Sequence, residues 1–139
     1  MTVPAWLSDI ANLLVSNNYG VIGTSIFYNS FDSVTNNCII LSKQAGFQEL
    51  KTVSKDDATN KPDLTINKPE LGIRVRNKDG LEADRISKEI HALLDQTYNK
   101  TIGSTFFLKI EAIADPFFVS KDLNTGTTFS INFYIEVKQ

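Results

Sequence analysis

One cysteine, Cys38, and one histidine, His91, are the residues with which this chain of 139 could do covalent or general-base chemistry. Brought together they would form a thiol nucleophile with its base. Cys38, however, lies between Asn37 and Ile39 in strand-forming sequence, His91 follows Ile90 within a helical pattern, and no motif of a cysteine enzyme surrounds either. The Gly-x-Ser-x-Gly spacing of a serine nucleophile is absent as well. The sequence therefore reads Cys38 as a buried thiol and His91 as an imidazole on a helix surface. Asp56, Asp57 and Asp63 supply oxygen ligands, but without the sharp-turn glycine and closing glutamate of a calcium loop they read as a solvated loop. Gly20 and Gly23 precede a strand and Gly72 lies inside one, so no glycine-rich turn opens a helix to cradle phosphate. No catalytic residue, metal ligand or cofactor is expected, and the chain reads as a non-enzyme.

Arg74 and Arg76 need a destination, because strand alternation puts both on one face, opposite Leu71, Ile73 and Val75. That destination is either a solvated or internally paired face, with Glu70, Asp79 and Glu111 as partners, or the acidic groups of a neighbouring subunit or phosphate. Lys109, Glu111, Asn132, Tyr134 and Glu136 fall on the same polar face. Its charge is mixed in sign, which suits a protein partner better than nucleic acid. Phe117, Phe118 and Val119 follow Pro116 in a connecting segment, and Phe27, Tyr28 and Phe31 pose the same question of core cap against interface anchor. Small open sheets also leave edge strands whose backbone groups another chain can satisfy. Arg74, Arg76, Glu111, Tyr134, Phe117 and Phe118 are therefore the candidate subunit-interface residues.

The elements that must hold these residues can be read from periodicity. Trp6, Leu7, Ile10, Leu13 and Leu14 form one stripe of a helix from Pro4 to Ser16, with Pro4 in its first turn. Strands are expected at Thr24 to Tyr28 and Cys38 to Ser42, paired antiparallel because the spacer between them is too short for a crossover helix. Lys51 to Pro69 is polar and aperiodic, a long surface loop with a short strand at Leu64 to Ile66, and such loops are commonly used for contact. Lys51, Lys55, Asp56, Asp57, Lys61 and Asp63 are its candidate contact residues. A strand covers Leu71 to Arg76, and a second helix runs from about Leu81 to Tyr98 on the stripe Ala83, Ile86, Ile90, Leu93 and Leu94. Two strands close the chain, Phe106 to Ile113 and Thr128 to Val137, joined by a connection from Ala114 to Gly126. The fold class is α+β: a mostly antiparallel sheet with two helices on one face and a long polar loop between the early strands and the second helix.

Composition sets the outer bounds. With 42% hydrophobic residues, 22% charged and a net charge of -2, residues 1–139 read as one ordinary soluble domain. Fourteen basic residues against sixteen acidic ones give no general affinity for nucleic acid. No apolar run reaches the roughly 20 residues of a membrane span, and the amino terminus has no basic cluster, so the chain is expected to be made and kept in the cytosol with no membrane partner.

Three stretches carry a resemblance: WLSDIANLLVSNNYGVIG from Trp6 to Gly23, LGIRVRNKDGLEADRISKEIHALL from Leu71 to Leu94, and IEAIADPFFVSKDLNTGTTFSINF from Ile110 to Phe133. A strand ending in arginines leads through a polar turn into a helix with Ala83, Ile86 and Ile90. A connection with Asp115, Pro116, Asp122 and Gly126 then precedes a closing strand with Ser130, Asn132 and Phe133. In this layout the chain resembles the tail terminator proteins of long-tailed bacteriophages, also called minor capsid or tail completion proteins. It departs from them at Thr127, where an arginine is expected. The resemblance implies a virion structural protein, assembled in the host cytoplasm, that forms a hexameric ring on the head-proximal end of the tail tube. The ring would stop tube polymerisation, present a surface to the head completion or connector protein, and let DNA pass through its lumen without specific binding. Within such a ring the Lys51 to Pro69 loop is the candidate for one axial contact. The alternatives are a small module binding a peptide or metabolite on the open sheet face around Arg74, Arg76 and Tyr134, or another head–tail completion or tube subunit.

Overall fold

The computed structural model describes residues 3–29, 37–44, 50–51, 65–124 and 126–138. Its elements are α1 (Ala5–Ser16), β1 (Ile26–Tyr28), β2 (Cys38–Gln44), β3 (Leu50–Lys51), β4 (Thr65–Asn67), β5 (Glu70–Asn77), α2 (Gly80–Leu94), β6 (Thr97–Ile102), β7 (Thr105–Ala112), β8 (Phe117–Asp122) and β9 (Gly126–Lys138). The α+β class and the mostly antiparallel sheet are as the sequence predicts. The strands form one mixed sheet organised on the 13-residue β9. Along one edge of β9 lie β5 and then β4, and along the other β8 and then β7. Outward from β5 come β2 and β1, and outward from β7 comes β6.

The core follows from two periodicities meeting. Trp6, Leu7, Ile10, Ala11 and Leu14 of α1 and Ile90 and Leu94 of α2 pack with Ile39, Leu41, Leu71, Ile73, Val75, Phe107, Ile110, Ile131, Phe133, Ile135 and Val137 from alternate strand positions. Two hydrogen-bond devices pin the helices in place. Asp79 caps α2, its carboxylate accepting from the Leu81 amide at 3.0 Å. Asp9 of α1 accepts from the Ser104 amide at 3.3 Å and from the Thr105 hydroxyl, tying the helix to the turn between β6 and β7. Gly126 has φ +102, and a Cβ there would run into the backbone of Asn77 and Lys78, so the start of β9 admits glycine alone.

Five expectations need correction. β1 and β2 pair in parallel, Ile26 with Ile39 through Tyr28 with Leu41. Only three pairs separate the ends, so the chain need return about 10 Å, well within reach of the nine residues between Tyr28 and Cys38, and no crossover helix is required. Pro4 is the N-cap of α1 and not a residue of its first turn. The second helix stops at Leu94, because Gln96 takes φ +58 and the Thr97 hydroxyl donates to the Leu94 carbonyl at 2.9 Å; Tyr98 belongs to β6. The segment expected as a plain connection from Ala114 to Gly126 contains β8. Finally, Lys51, expected in the polar loop, sits in β3 with its backbone paired to Thr65, and the short strand expected at Leu64 to Ile66 spans Thr65–Asn67.

Candidate functional site

The polar face of the sheet is built by register. Glu70, Tyr134 and Glu111 line up across β5, β9 and β7, and Lys109 stands opposite Glu136 two residues along. The Lys109 Nζ lies 3.1 Å from the Glu136 carboxylate, and the Tyr98 hydroxyl donates to Glu111 at 2.9 Å. That hydrogen bond to a carboxylate favours the protonated phenol and raises the Tyr98 pKa above the ordinary tyrosine value; the bond to Glu136 likewise raises that of Lys109. A depression of about 310 Å³ opens here, lined by Lys68, Pro69, Lys109, Glu111, Tyr134 and Glu136. Lys109 and Glu136 pair with one another and Glu111 accepts from Tyr98, so the arrangement offers a hydrated, hydrogen-bonding contact surface.

The two arginines part company. Arg74 is exposed, whereas Arg76 is only 8% exposed. Around Arg76 this second face is itself buried, at Cys38, Ile40, Thr128 and Ser130, so the sharp division into one core face and one wet face holds only toward the Tyr134 end. By register, Thr128 and Ser130 sit between Arg76 and Arg74 of β5 on one side and Ser120 and Phe117 of β8 on the other.

At the edge of the sheet, β8 is exposed along its whole length. Phe117 stands in register with Ser130 and Arg74, on the polar-face side. Phe118 stands in register with Phe129 and Val75 and meets the Phe129 ring edge-on at 6.1 Å, yet remains 57% exposed. Val119 and Leu123 continue the exposed apolar strip. The register thus brings Arg74 and Phe117 to one area of the polar face and Glu111 and Tyr134 to another, turns Phe118 to the opposite face, and withdraws Arg76 from the surface. Lys55, Asp56, Asp57, Lys61 and Asp63 lie outside the described residues. Sequence reasoning did not identify Val21 and Ile22, exposed in the turn before β1, as surface apolar groups; their position after Gly20 was the available signal.

The residues first considered for chemistry do not meet. Cys38 is buried opposite Arg76, while the His91 ring lies 6.4 Å from that of Phe133, which pairs with Leu71. Five positions of β5 separate the two places, roughly 17 Å. His91 has instead Asp95 and Asp115 at 4.0 Å from its Nε2. Among the described residues no cluster of three or more metal-ligating side chains occurs, and no helix is long and apolar enough to cross a membrane.

No curated protein gives a significant match to the chain. The model of a family described as bacteriophage tail terminator protein matches residues 13–139, from the last turn of α1 through every strand of the sheet. A small α+β domain whose notable surfaces are a paired polar face and an open apolar edge is suited to assembly, and the chain belongs to the bacteriophage tail terminator family, with the structural role in the phage tail that this family implies.

Proposed function

We propose that the protein caps the head-proximal end of the tail tube as a hexameric ring, terminates tube polymerisation and provides the surface to which the filled head is joined. The family match over residues 13–139 carries this reading. The mechanism is geometric: lateral surfaces close the ring through heterologous contacts, one axial face meets the tube protein and the other the head completion or connector protein. The lateral surfaces are assigned to the polar face around Arg74, Glu111 and Tyr134 and to the strip of Phe117 and Phe118. The axial contact is assigned to the loop between β3 and β4, with Lys55, Asp56, Asp57, Lys61 and Asp63. A chain with a net charge of -2 lets DNA traverse the lumen without retaining it. Assembly takes place in the host cytoplasm and the ring remains in the virion.

The experiment is genetic and microscopic. Phage lacking this chain are expected to make tubes of unregulated length that do not join heads, and deletion of Ala58 to Asp63 to reproduce part of that defect. Tails of normal length joined to heads in the null phage would overturn the function. A normal phenotype in the loop deletion would remove only the loop's role.

A further inference from the structure

The large hydrophobic side chains left exposed on this domain are segregated. Apart from Leu81 and Tyr98, those of the described residues fall in two groups: Ile113, Phe117, Phe118, Val119 and Leu123 at and beside β8, and Val21 and Ile22 in the turn before β1. The two groups occupy opposite ends of the same rows of the sheet. One row runs Ile26, Ile39, Val75, Phe129, Phe118 and the next runs Phe27, Ile40, Arg74, Ser130, Phe117, each crossing β1, β2, β5, β9 and β8 in turn. Ile22 bridges to Ile26 at the end of the first row, so the strip and the turn lie at one height on opposite flanks, the turn beyond β1 and β1 itself about 19 Å from β8 across four strand spacings.

The edges of the sheet are also treated differently. The outward backbone of β1 is closed by its own chain at Ile26, whose amide donates to the Val21 carbonyl and whose carbonyl accepts from Gly23. β6 is polar at Asn99, Lys100 and Thr101, and Asn99, with φ +50, drops out of its pairing with β7. Both are protected in the ways that prevent edge association. β8 pairs only with β9 among the described residues, is exposed at every position, and begins with Phe-Phe-Val. An apolar, uncovered edge of this kind marks a contact site.

We infer that the lateral seam between copies is formed by the β8 strip of one copy, Phe117, Phe118 and Val119, packing on the Val21–Ile22 turn of the next. The occupant is a second copy of this chain because the same molecule carries both apolar surfaces, unlike one another and on opposite flanks at equal height. Two unlike surfaces of one molecule make a heterologous, head-to-tail contact, which generates a ring when the rotation between copies closes. A strip that bound its own counterpart would stop at a dimer. The inference deepens the ring reading and rests on it.

Cross-linking on virion tails tests it. Tails carrying the full chain with both Ile22→Cys and Val119→Cys, treated with a short bismaleimide, are expected to give a ladder of linked multimers, and each single variant none. Phe118→Lys is expected to abolish ring formation while the monomer keeps its circular dichroism spectrum. Linked dimers from Val119→Cys alone would make the contact isologous and overturn the seam, as would linkage of Val119→Cys to the tube protein. Rings seen by electron microscopy without a ladder, or rings that persist with Phe118→Lys, would overturn the seam and leave the ring reading intact. Tails capped by single copies would overturn both.

Discussion

β7 and β8 pair with the same edge of the same strand, one after the other, and end in opposite conditions. β7 takes the half of β9 from Phe133 to Val137 and buries Phe107 and Ile110 completely; β8 takes the half from Gly126 to Ser130 and buries nothing. Both strands are apolar at several positions, so hydrophobicity does not separate them. Cover does: Phe107 and Ile110 belong to the core shared with α1 and α2, whereas the side chains of β8 lie at the surface beyond it. Apolar residues within the cover hold the subunit together, and those outside it are left for association.

The sharpest way to break this comparison is to truncate one phenylalanine from each strand. Phe107→Ala should cost about 3–5 kcal/mol, through lost burial and the cavity left behind. Phe118→Ala should cost about 1 kcal/mol or less, chiefly the edge-on contact with Phe129. Urea unfolding of the two variants measures the difference. Equal losses would mean that β8 is part of the folding core and not a surface for assembly.

This contrast was only half legible in the sequence. The core half was plain because α1, α2, β5 and β9 each repeat their apolar residues at one clean period, and periodicity reports a boundary between a covered face and a wet one. β6 and β8 were missed because neither has such a boundary: Thr-Tyr-Asn-Lys-Thr-Ile and Phe-Phe-Val-Ser-Lys-Asp do not alternate, and both strands are mostly exposed. The parallel pairing of β1 with β2 was misread for another reason, since pairing direction is fixed by where the chain enters the sheet and leaves no mark on composition. Candidate residues were found by type, so Phe117, Phe118, Arg74, Glu111 and Tyr134 could be named. The burial of Arg76, between Cys38 of β2 and Thr128 of β9, is set by strand pairing across the sheet, which no local pattern encodes.

The end of β7 offers a smaller test. The Asp95 carboxylate, just past α2, accepts from the Ala112 amide at 2.8 Å in a partly buried setting, and so fixes β7 immediately before the connection to β8. Asp95→Ala should destabilise the domain by about 1.5–3 kcal/mol, the range for a lost hydrogen bond to a charged group. Faster amide exchange should be confined to Ala112 and Ile113, with the β8–β9 pairs unaffected. Loosening that spread through β8 would show that the strip depends on β7 for its position, and the two strands would then be one cooperative unit.

The smallest effect is expected at the Tyr98–Glu111 bond, which lies on the outer side of β7 where the polar face meets β6. Because the bond favours the protonated phenol, the pKa of Tyr98 is higher in the folded chain than in the unfolded one. Its contribution to stability is therefore complete below the ordinary phenol value and is lost as the pH rises through the raised folded value. Tyr98 is half exposed and Glu111 only partly buried, so solvent screens the interaction and the effect on melting temperature should be slight. Measured against Tyr98→Phe, the difference in melting temperature should be constant from neutral pH up to the phenol range and shrink above it. A difference that grew with pH would reverse the sign of the coupling, and would mean that the ionised phenolate, not the hydroxyl, is the form this surface of β7 prefers.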